Sequence, residues 1–193
     1  MTATHGFKGY KPYISTVKGG RFYIDTPVFD AEEIAHATAL ICRFGGHCRR
    51  FYSVAEHQLL VAMLCEQLGL ADPFEGLLHD GHEGYLVDLP KPWKAAISDY
   101  NTVELKLEAA LRQQYGLPPV ITEGCKMADM VALALEARLL LPSKGNDFAW
   151  KDGVLALAAK VRDIQLNCWD PGIARGHWLA AFGEMGPPRG YVT

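Results

Sequence analysis

Long hydrophobic runs are absent from the sequence. No stretch approaches about eighteen consecutive uncharged apolar residues, the length that a membrane-spanning helix requires. The first residues, MTATHGFKGYKPYIS, contain no apolar run behind a basic segment, as a secretion signal would. We therefore expect a chain that is neither exported nor membrane-spanning, located in the cytoplasm, or in the host cytoplasm if the gene is viral.

An excess of positive charge is also absent. The chain has 19 Lys and Arg residues against 22 Asp and Glu residues, giving a formal net charge of -3 at pH 7. A protein that binds a nucleic-acid duplex must neutralise many phosphates at once, so stable duplex binding is not expected. Small anionic ligands remain open, because they need only a local basic pocket.

Cysteine is scarce and unpatterned. The five cysteines are an odd number with no C-x-x-C pair: Cys42, Cys48, Cys65, Cys125 and Cys168. This spacing indicates neither a disulfide framework nor a zinc ribbon, so we interpret them as small buried side chains in a reducing compartment. Repeats and low-complexity tracts are absent too, and 193 residues with 49% hydrophobic content suit one folded domain.

The chain divides into an N-terminal arm and a helical body. In residues 1–29 the alternating segment KPYISTV, the turn at Lys18-Gly-Gly-Arg21 and the segment FYI predict a short β-hairpin or extended arm. Residues 30–185 predict an all-α bundle, and residues 186–193 a mobile tail. Four helix starts carry a capping residue followed three positions later by glutamate, at Asp30, Ser53, Asp72 and Asn101.

Apolar periodicity and breakers give approximate helix bounds. A loop at 88–93 is expected not to be helical, because it contains two prolines. The predicted helices cover residues 30–44, 53–69, 72–80, 101–115, 122–141, 152–168 and 171–182.

Adjacent His79 and Asp80 lie in an otherwise apolar segment, FEGLLHDGHEGYLVDLP. A buried aspartate is costly unless it is paired or coordinates a cation. Alone, the pair is more often a surface feature. However, His57 in VAEHQLLVA and Asp129 in KMADMVALALEA place two more ligand-type side chains on separate helices. Helical bundles build ion sites from inward side chains of this kind, so the set predicts a metal centre.

The order H…HD…D, formed by His57, His79-Asp80 and Asp129, resembles that of HD-domain phosphohydrolases. More closely, SVAEHQLLVA, LLHDGHEGYLVDLPKPWK and KMADMVALALEA are similar to the small bacterial 5′-deoxynucleotidases and the related viral dATP triphosphohydrolases. The resemblance covers roughly Asp30 to Leu141. It implies an HD-domain helical bundle in which these four residues bind one divalent transition metal.

Two imidazoles and two carboxylates suit Mn, Co, Fe, Ni or Zn, and the sequence does not choose among them. A triphosphate substrate would bring additional Mg. The resemblance further implies catalytic roles for Glu83 and Asp88. We favour Glu83 for proton transfer and Asp88 for positioning the water.

Phosphate esters also need positive charge near their oxygens. The predicted substrate-binding and phosphate-binding residues are Arg43, Phe44, His47, Arg49, Arg50, His82, Lys94 and Lys126. For each charged member, a solvated surface position is the alternative. Phe44 stands where the relatives commonly have tryptophan, which leaves selectivity for deoxyribose open.

The resulting hypothesis is an enzyme that hydrolyses the ester between the 5′-oxygen and the α-phosphorus of a (deoxy)nucleotide. Its products would be a nucleoside and phosphate, or triphosphate from a substrate such as dATP. The alternatives are a hydrolase of a signalling nucleotide such as a guanosine 3′-pyrophosphate, and a non-catalytic HD sensor that binds nucleotides. We also expect a homo-oligomer, for which the apolar helix with Trp178, Leu179 and Phe182 offers a surface, unless that helix packs on its own core.

Overall fold

A short hairpin precedes the helices. The computed structural model describes residue 11, residues 13–161 and residues 164–186. Strands β1 (Ile14–Ser15) and β2 (Arg21–Phe22) pair antiparallel, with Ile14 opposite Phe22. The Phe22 ring is buried and stacks on Tyr85, their centroids 4.1 Å apart, which attaches the hairpin to the helical body. The predicted hairpin is thus present, while residues 1–10 and 12 of the predicted arm lie outside the described residues.

The rest of the described chain is mostly helical, which confirms the all-α prediction at the level of secondary structure. The helices are α1 (Ala31–Leu40), α2 (Val54–Gln67), α3 (Pro73–Leu78), α4 (Glu83–Leu86), α5 (Lys91–Ala96), α6 (Ser98–Gln114), α7 (Glu123–Leu140), α8 (Val154–Ala158) and α9 (Pro171–Met185). No described helix is both long and apolar enough to cross a membrane. Of the predicted tail, the structure describes only Gly186.

Three of the four predicted capping residues begin helices. The side chains of Asp30, Ser53 and Asp72 accept backbone N–H groups in the first turns of α1, α2 and α3. The prediction for Asn101 was wrong, because α6 already begins at Ser98. The Asn101 amide instead donates to the carbonyl oxygen of Lys94 at 2.8 Å, joining α6 to α5.

Helix α1 ends earlier than predicted, at Leu40, because the following residues pair with the segment before α2. Arg43 N donates to Tyr52 O at 2.9 Å, and Val54 N donates to Ile41 O at 3.0 Å. The intervening Arg43–Gly46 forms a 3₁₀ turn in which Phe44 has φ +58°. A non-glycine residue in this left-handed region is uncommon, so the turn fixes where Phe44 lies.

Two further predictions are corrected. Helix α5 forms inside the predicted 88–93 loop, since Pro92 occupies its first turn, where a backbone N–H has no intrahelical partner to lose. Helix α8 ends at Ala158, far before residue 168. Glu56 on α2 accepts the backbone N–H groups of Asn167, Cys168 and Trp169 at 2.8, 2.9 and 3.0 Å, which holds that segment outside a helix.

Helix α2 lies at the centre of the packing and contacts α1, α3, α7 and α9. One buried cluster lies on the side of α1, α3, α6 and α9, and a second joins α2 to α7 and α8. Trp178 of α9 is fully buried, and its indole N–H donates to Gln58 Oε1 at 2.9 Å. The apolar face of α9 therefore packs on the chain's own core, and the homo-oligomer stays a prediction.

Gly124, in the first turn of α7, generates a prediction. A Cβ at this position would lie 1.8 Å from the carbonyl oxygen of Leu70, whereas one at Gly176 on α9 would meet nothing within 4 Å. We expect Gly124→Ala to lower the free energy of unfolding by about 1–3 kcal/mol or more, because backbone must move. Gly176→Ala should raise it by about 0.4–1 kcal/mol. Urea denaturation followed by circular dichroism measures both, and equal effects would contradict the packing at Leu70.

Candidate metal centre

Four side chains from three parts of the helical body converge at one buried point. His57 Nε2 lies 3.3 Å from His79 Nε2 and 3.3 Å from Asp129 Oδ1. Asp80 Oδ2 lies 3.1 Å from His79 Nε2 and 3.5 Å from His57 Nε2. Even without Asp80, His57, His79 and Asp129 each offer one ligand atom, and these three atoms all lie within 4.8 Å of one another, so they could hold a metal ion.

The orientation of the two imidazoles is set on their other side. His57 Nδ1 lies 2.7 Å from Glu136 Oε1, and His79 Nδ1 lies 2.8 Å from the carbonyl oxygen of Gly76. Since both partners are acceptors, each Nδ1 carries the proton and donates it. Each Nε2 then presents a lone pair toward the shared point, as in metal sites whose histidines are fixed by acceptors behind them.

This donor set fits a divalent cation. Two imidazole lone pairs 3.3 Å apart and two carboxylates repel one another unless positive charge lies between them. Burial opposes ionisation of Asp80 and Asp129, but the hydrogen bonds and positive charge that His57 and His79 supply when an Nε2 proton takes the place of a cation hold the pKa of both carboxyls below the usual range. Both aspartates are therefore negatively charged at neutral pH.

Glu83 and Asp88, the predicted catalytic carboxylates, border the same point. Burial raises the pKa of Glu83 well above its ordinary value, and the charges of Asp80 and Asp88 raise it further. Its Oε1 accepts from Lys94 Nζ at 3.1 Å, whereas Oε2 is buried with no hydrogen-bond partner in the described chain. Lys94 also donates to Glu104, which links the site to α6.

Arg43 supplies a nearly buried positive charge beside the candidate ligands. Its Nη1 lies 3.9 Å from Asp80 Oδ2 and 4.0 Å from Asp88 Oδ2, and its Nη2 donates to Glu136 Oε2 at 3.1 Å. Glu136 is fully buried, and although burial opposes its ionisation, Arg43 and His57 keep its pKa below the ordinary value. The Glu136 carboxylate thus fixes both the candidate ligand His57 and the Arg43 guanidinium.

A pocket of about 430 Å³ opens over this centre. Of the predicted site residues, Arg43, Phe44, Asp80, Glu83, Asp88, Lys94 and Asp129 line it. The buried imidazoles of His57 and His79 lie behind its floor, since their Nε2 atoms contact the pocket-lining Asp80. The structure therefore brings together the predicted ligands, both predicted catalytic carboxylates and two of the predicted cations.

The remaining predicted phosphate-binding residues lie elsewhere, so far as the described residues show. His47, Arg49 and Arg50 are exposed, and Arg50 donates to the carbonyl oxygen of Asn167 at 3.2 Å. Lys126 pairs with Glu123 at 2.7 Å on the same helix. None of these four lines the pocket, and their contact with phosphate stays a prediction.

His82 is buried behind the site rather than in the pocket. Its Nε2 lies 3.8 Å from Glu104 Oε1, and within the part of the chain that the structure describes neither ring nitrogen has a partner at hydrogen-bond distance. Lys94 donates to both Glu104 and Glu83. His82 therefore lies next to this Glu104–Lys94–Glu83 network, behind Glu83, and does not line the pocket.

Sequence reasoning missed several residues of the site. Glu136 follows Asp129 by seven positions, two helical turns, so the helical period would have placed both on one face. Lys91 approaches Asp129, its Nζ 3.8 Å from Oδ2. Phe148 and Trp150 line the pocket from a segment with no metal-binding or catalytic motif, and no local signal pointed to them.

Known proteins similar to this chain include uncharacterized protein YfdR of Escherichia coli (strain K12). It is 38% identical over 177 residues, which cover 90% of this chain and 95% of YfdR. An uncharacterized protein of Rhodobacter capsulatus is 39% identical over 124 residues, or 58% of this chain and 63% of that protein. No protein-family model matches the chain.

Glu136 provides a test of the centre. In Glu136→Gln the amide nitrogen must face either His57 Nδ1 or Arg43, both donors, so one of them loses its acceptor, and in both cases the negative charge that supports the His57 imidazole is removed. We expect the affinity for Mn²⁺ or Co²⁺, measured by isothermal titration calorimetry, to fall about 10- to 100-fold. Glu123→Gln, an exposed substitution on the same helix, should leave affinity unchanged. Unaltered binding by a folded Glu136→Gln variant would contradict this role.

Proposed function

The chain belongs to the same protein family as YfdR, and we propose that it is a metal-dependent phosphohydrolase of the HD type. Its substrates are (deoxy)nucleotides, from which it cleaves the 5′-phosphate ester. A monophosphate gives nucleoside and phosphate, and a triphosphate such as dATP gives nucleoside and triphosphate.

The convergence of His57, His79, Asp80 and Asp129 is the observation that carries the proposal. Their ligand atoms meet within 3.1 to 3.5 Å in the measured pairs, and the order of these residues along the chain is that of HD phosphohydrolases. A mixed imidazole and carboxylate set suits one first-row transition metal, and Mg²⁺ would accompany a triphosphate. Such an ion supplies Lewis acidity toward phosphoryl oxygens.

The cations of the pocket orient the phosphate. Arg43 presents a planar guanidinium beside Asp80 and Asp88, and it is nearly buried, so its interaction with a phosphate oxygen is weakly screened. Lys94, held by Glu83 and Glu104, brings a second positive charge to the edge of the pocket. These fixed charges favour a transition state in which negative charge accumulates on the phosphoryl oxygens.

The carboxyl of Glu83 suits a proton donor. Its raised pKa favours the protonated form, and its Oε2 has no hydrogen-bond partner among the described residues. In this proposal Glu83 protonates the departing 5′-oxygen of the nucleoside, while Asp88 accepts a hydrogen bond from the attacking water and orients it.

The two alternatives have less support. A binding sensor has no need of Glu83 and Asp88 beside the ligands, where burial and the charge of Asp80 raise the pKa of each. A guanosine 3′-pyrophosphate hydrolase would share the metal centre, and a substrate screen separates it from a 5′-nucleotidase.

A metal-supplemented phosphate-release assay on deoxy- and ribonucleoside mono- and triphosphates tests the proposal. We expect Asp80→Ala to lose both metal binding and turnover. Glu83→Gln should bind the metal but lose about 10²- to 10⁴-fold in kcat, since only the proton donor is removed. Glu66→Gln, exposed on α2, is the matched control. Absence of phosphate and polyphosphate release by the metal-loaded wild type from every substrate would overturn the proposal.

The pH dependence of kcat gives a second test. A general acid works in its protonated form, so the rate should be sustained up to the raised pKa of Glu83 and fall as the pH rises through it. The residual rate of Glu83→Gln should not show this fall, because an amide does not titrate. If the same alkaline decline persists in the variant, another group donates the proton.

A further inference from the structure

The pocket also has an apolar lining that the metal chemistry does not use. We propose that Phe148 and Trp150 form the surface on which the nucleobase of the substrate stacks, an inference that rests on the proposed function. Both side chains are half-buried and line the pocket that contains Asp80 and Asp129. They follow Leu141, so they lie beyond the part of the chain on which the HD resemblance rests.

The change from polar to apolar lining follows helix α7. Asp129 lies at the candidate metal centre. The next residue, Met130, and Leu133, about one helical turn further on, line the same pocket. The four-residue step from Asp129 to Leu133 advances about 6 Å along the helix axis, so the apolar lining begins within a sugar's length of the candidate ligands. An elongated substrate with an anionic head and an apolar group fits this order of side chains.

The aromatic pair is fixed by its own segment. The rings of Phe148 and Trp150 lie 5.1 Å apart between centroids, with their planes at 37°. The indole N–H of Trp150 donates to the carbonyl oxygen of Gly145 at 3.1 Å. Gly145 has φ +75°, and a Cβ there would lie 2.8 Å from Trp150 Cζ2, so glycine makes room for the indole. The rings thus form a positioned surface rather than a mobile loop.

Stacking is the interaction that such a surface offers. A base placed on an aromatic ring gains about 1–3 kcal/mol, whichever base it is, because each has a flat π face. A sugar phosphate lacks that face and gains nothing from the rings. Phe148 and Trp150 therefore select nucleotides over base-free phosphate esters, while the metal centre acts on both.

The test compares dAMP with 2-deoxyribose 5-phosphate, which has the same phosphate ester and no base. With Mn²⁺ present, Phe148→Ala and Trp150→Ala should lower kcat/KM for dAMP about 5- to 150-fold, mainly through KM, as the loss of stacking predicts. Hydrolysis of 2-deoxyribose 5-phosphate should change less than about twofold under the same stacking model. Trp150→Phe, which keeps a ring, should recover most of the loss.

The control is Trp93→Ala. This variant removes an exposed indole that is not among the described residues lining the pocket, so kcat/KM for both substrates should stay unchanged. Equal losses on dAMP and the sugar phosphate would overturn the proposal, because they would mean a merely structural role. Calorimetric binding of dAMP in the Glu83→Gln background separates the two proposals. If dAMP binding weakens in Trp150→Ala but the wild type shows no turnover, the hydrolase proposal is contradicted and the stacking surface is supported. If dAMP binds equally well with and without the Trp150 side chain, the stacking surface is overturned.

Discussion

The contact between Glu136 and His57 is the interaction on which the geometry of the centre depends. A carboxylate with no solvent contact is tolerable only when fixed donors surround it, and Glu136 has two, the His57 ring and the Arg43 guanidinium. The first contact decides which imidazole nitrogen faces the ligand point. The second contact brings a guanidinium close to the ligand carboxylates. The orientation of the candidate ligand His57 and the position of the Arg43 guanidinium therefore share one support, located two helical turns from Asp129.

The centre also concentrates more negative than positive charge. Asp80, Asp88 and Asp129 border one pocket, and Arg43 is the nearly buried cation among them. The stability of such a cluster depends on a cation, because a bound ion that prefers the folded state stabilises it by mass action. If the proposed metal ion binds, function and folding are linked through charge, and the form without the ion is expected to be the less stable one.

Some of this could be predicted from the sequence, because the determining signals are local. Side-chain caps identified three helix starts, and polar residues inside apolar segments marked His57 and the His79-Asp80 pair. The early end of helix α8 could not be predicted from local sequence. Glu56, which holds residues 167–169 outside a helix, is about a hundred positions away, and in the sequence it forms part of a capping box.

The rest of the site depends on long-range contacts as well. The backbone of Arg43 lies in the turn after α1, which is a local feature. The orientation of its guanidinium, however, depends on Glu136, which is 93 positions further along. The segment with Phe148 and Trp150 has an ordinary aromatic composition, and only its packing against α7 brings it to the pocket. Hydrophobic patterning predicts which face of a helix is buried. It does not predict the partner of a buried charge, because that partner is brought near only by the folded chain.

Glu56 and His57 are neighbours on α2 with different partners, one holding the backbone of residues 167–169 and the other facing the ligand point. The motif-bearing part, which ends near Leu141, is for this reason not a self-sufficient unit. A chain shortened to that part would keep every candidate ligand. It would, however, leave the Glu56 carboxylate without its three backbone donors, directly next to the candidate ligand His57. The segment after Leu141 therefore supports the candidate centre, as the motifs do.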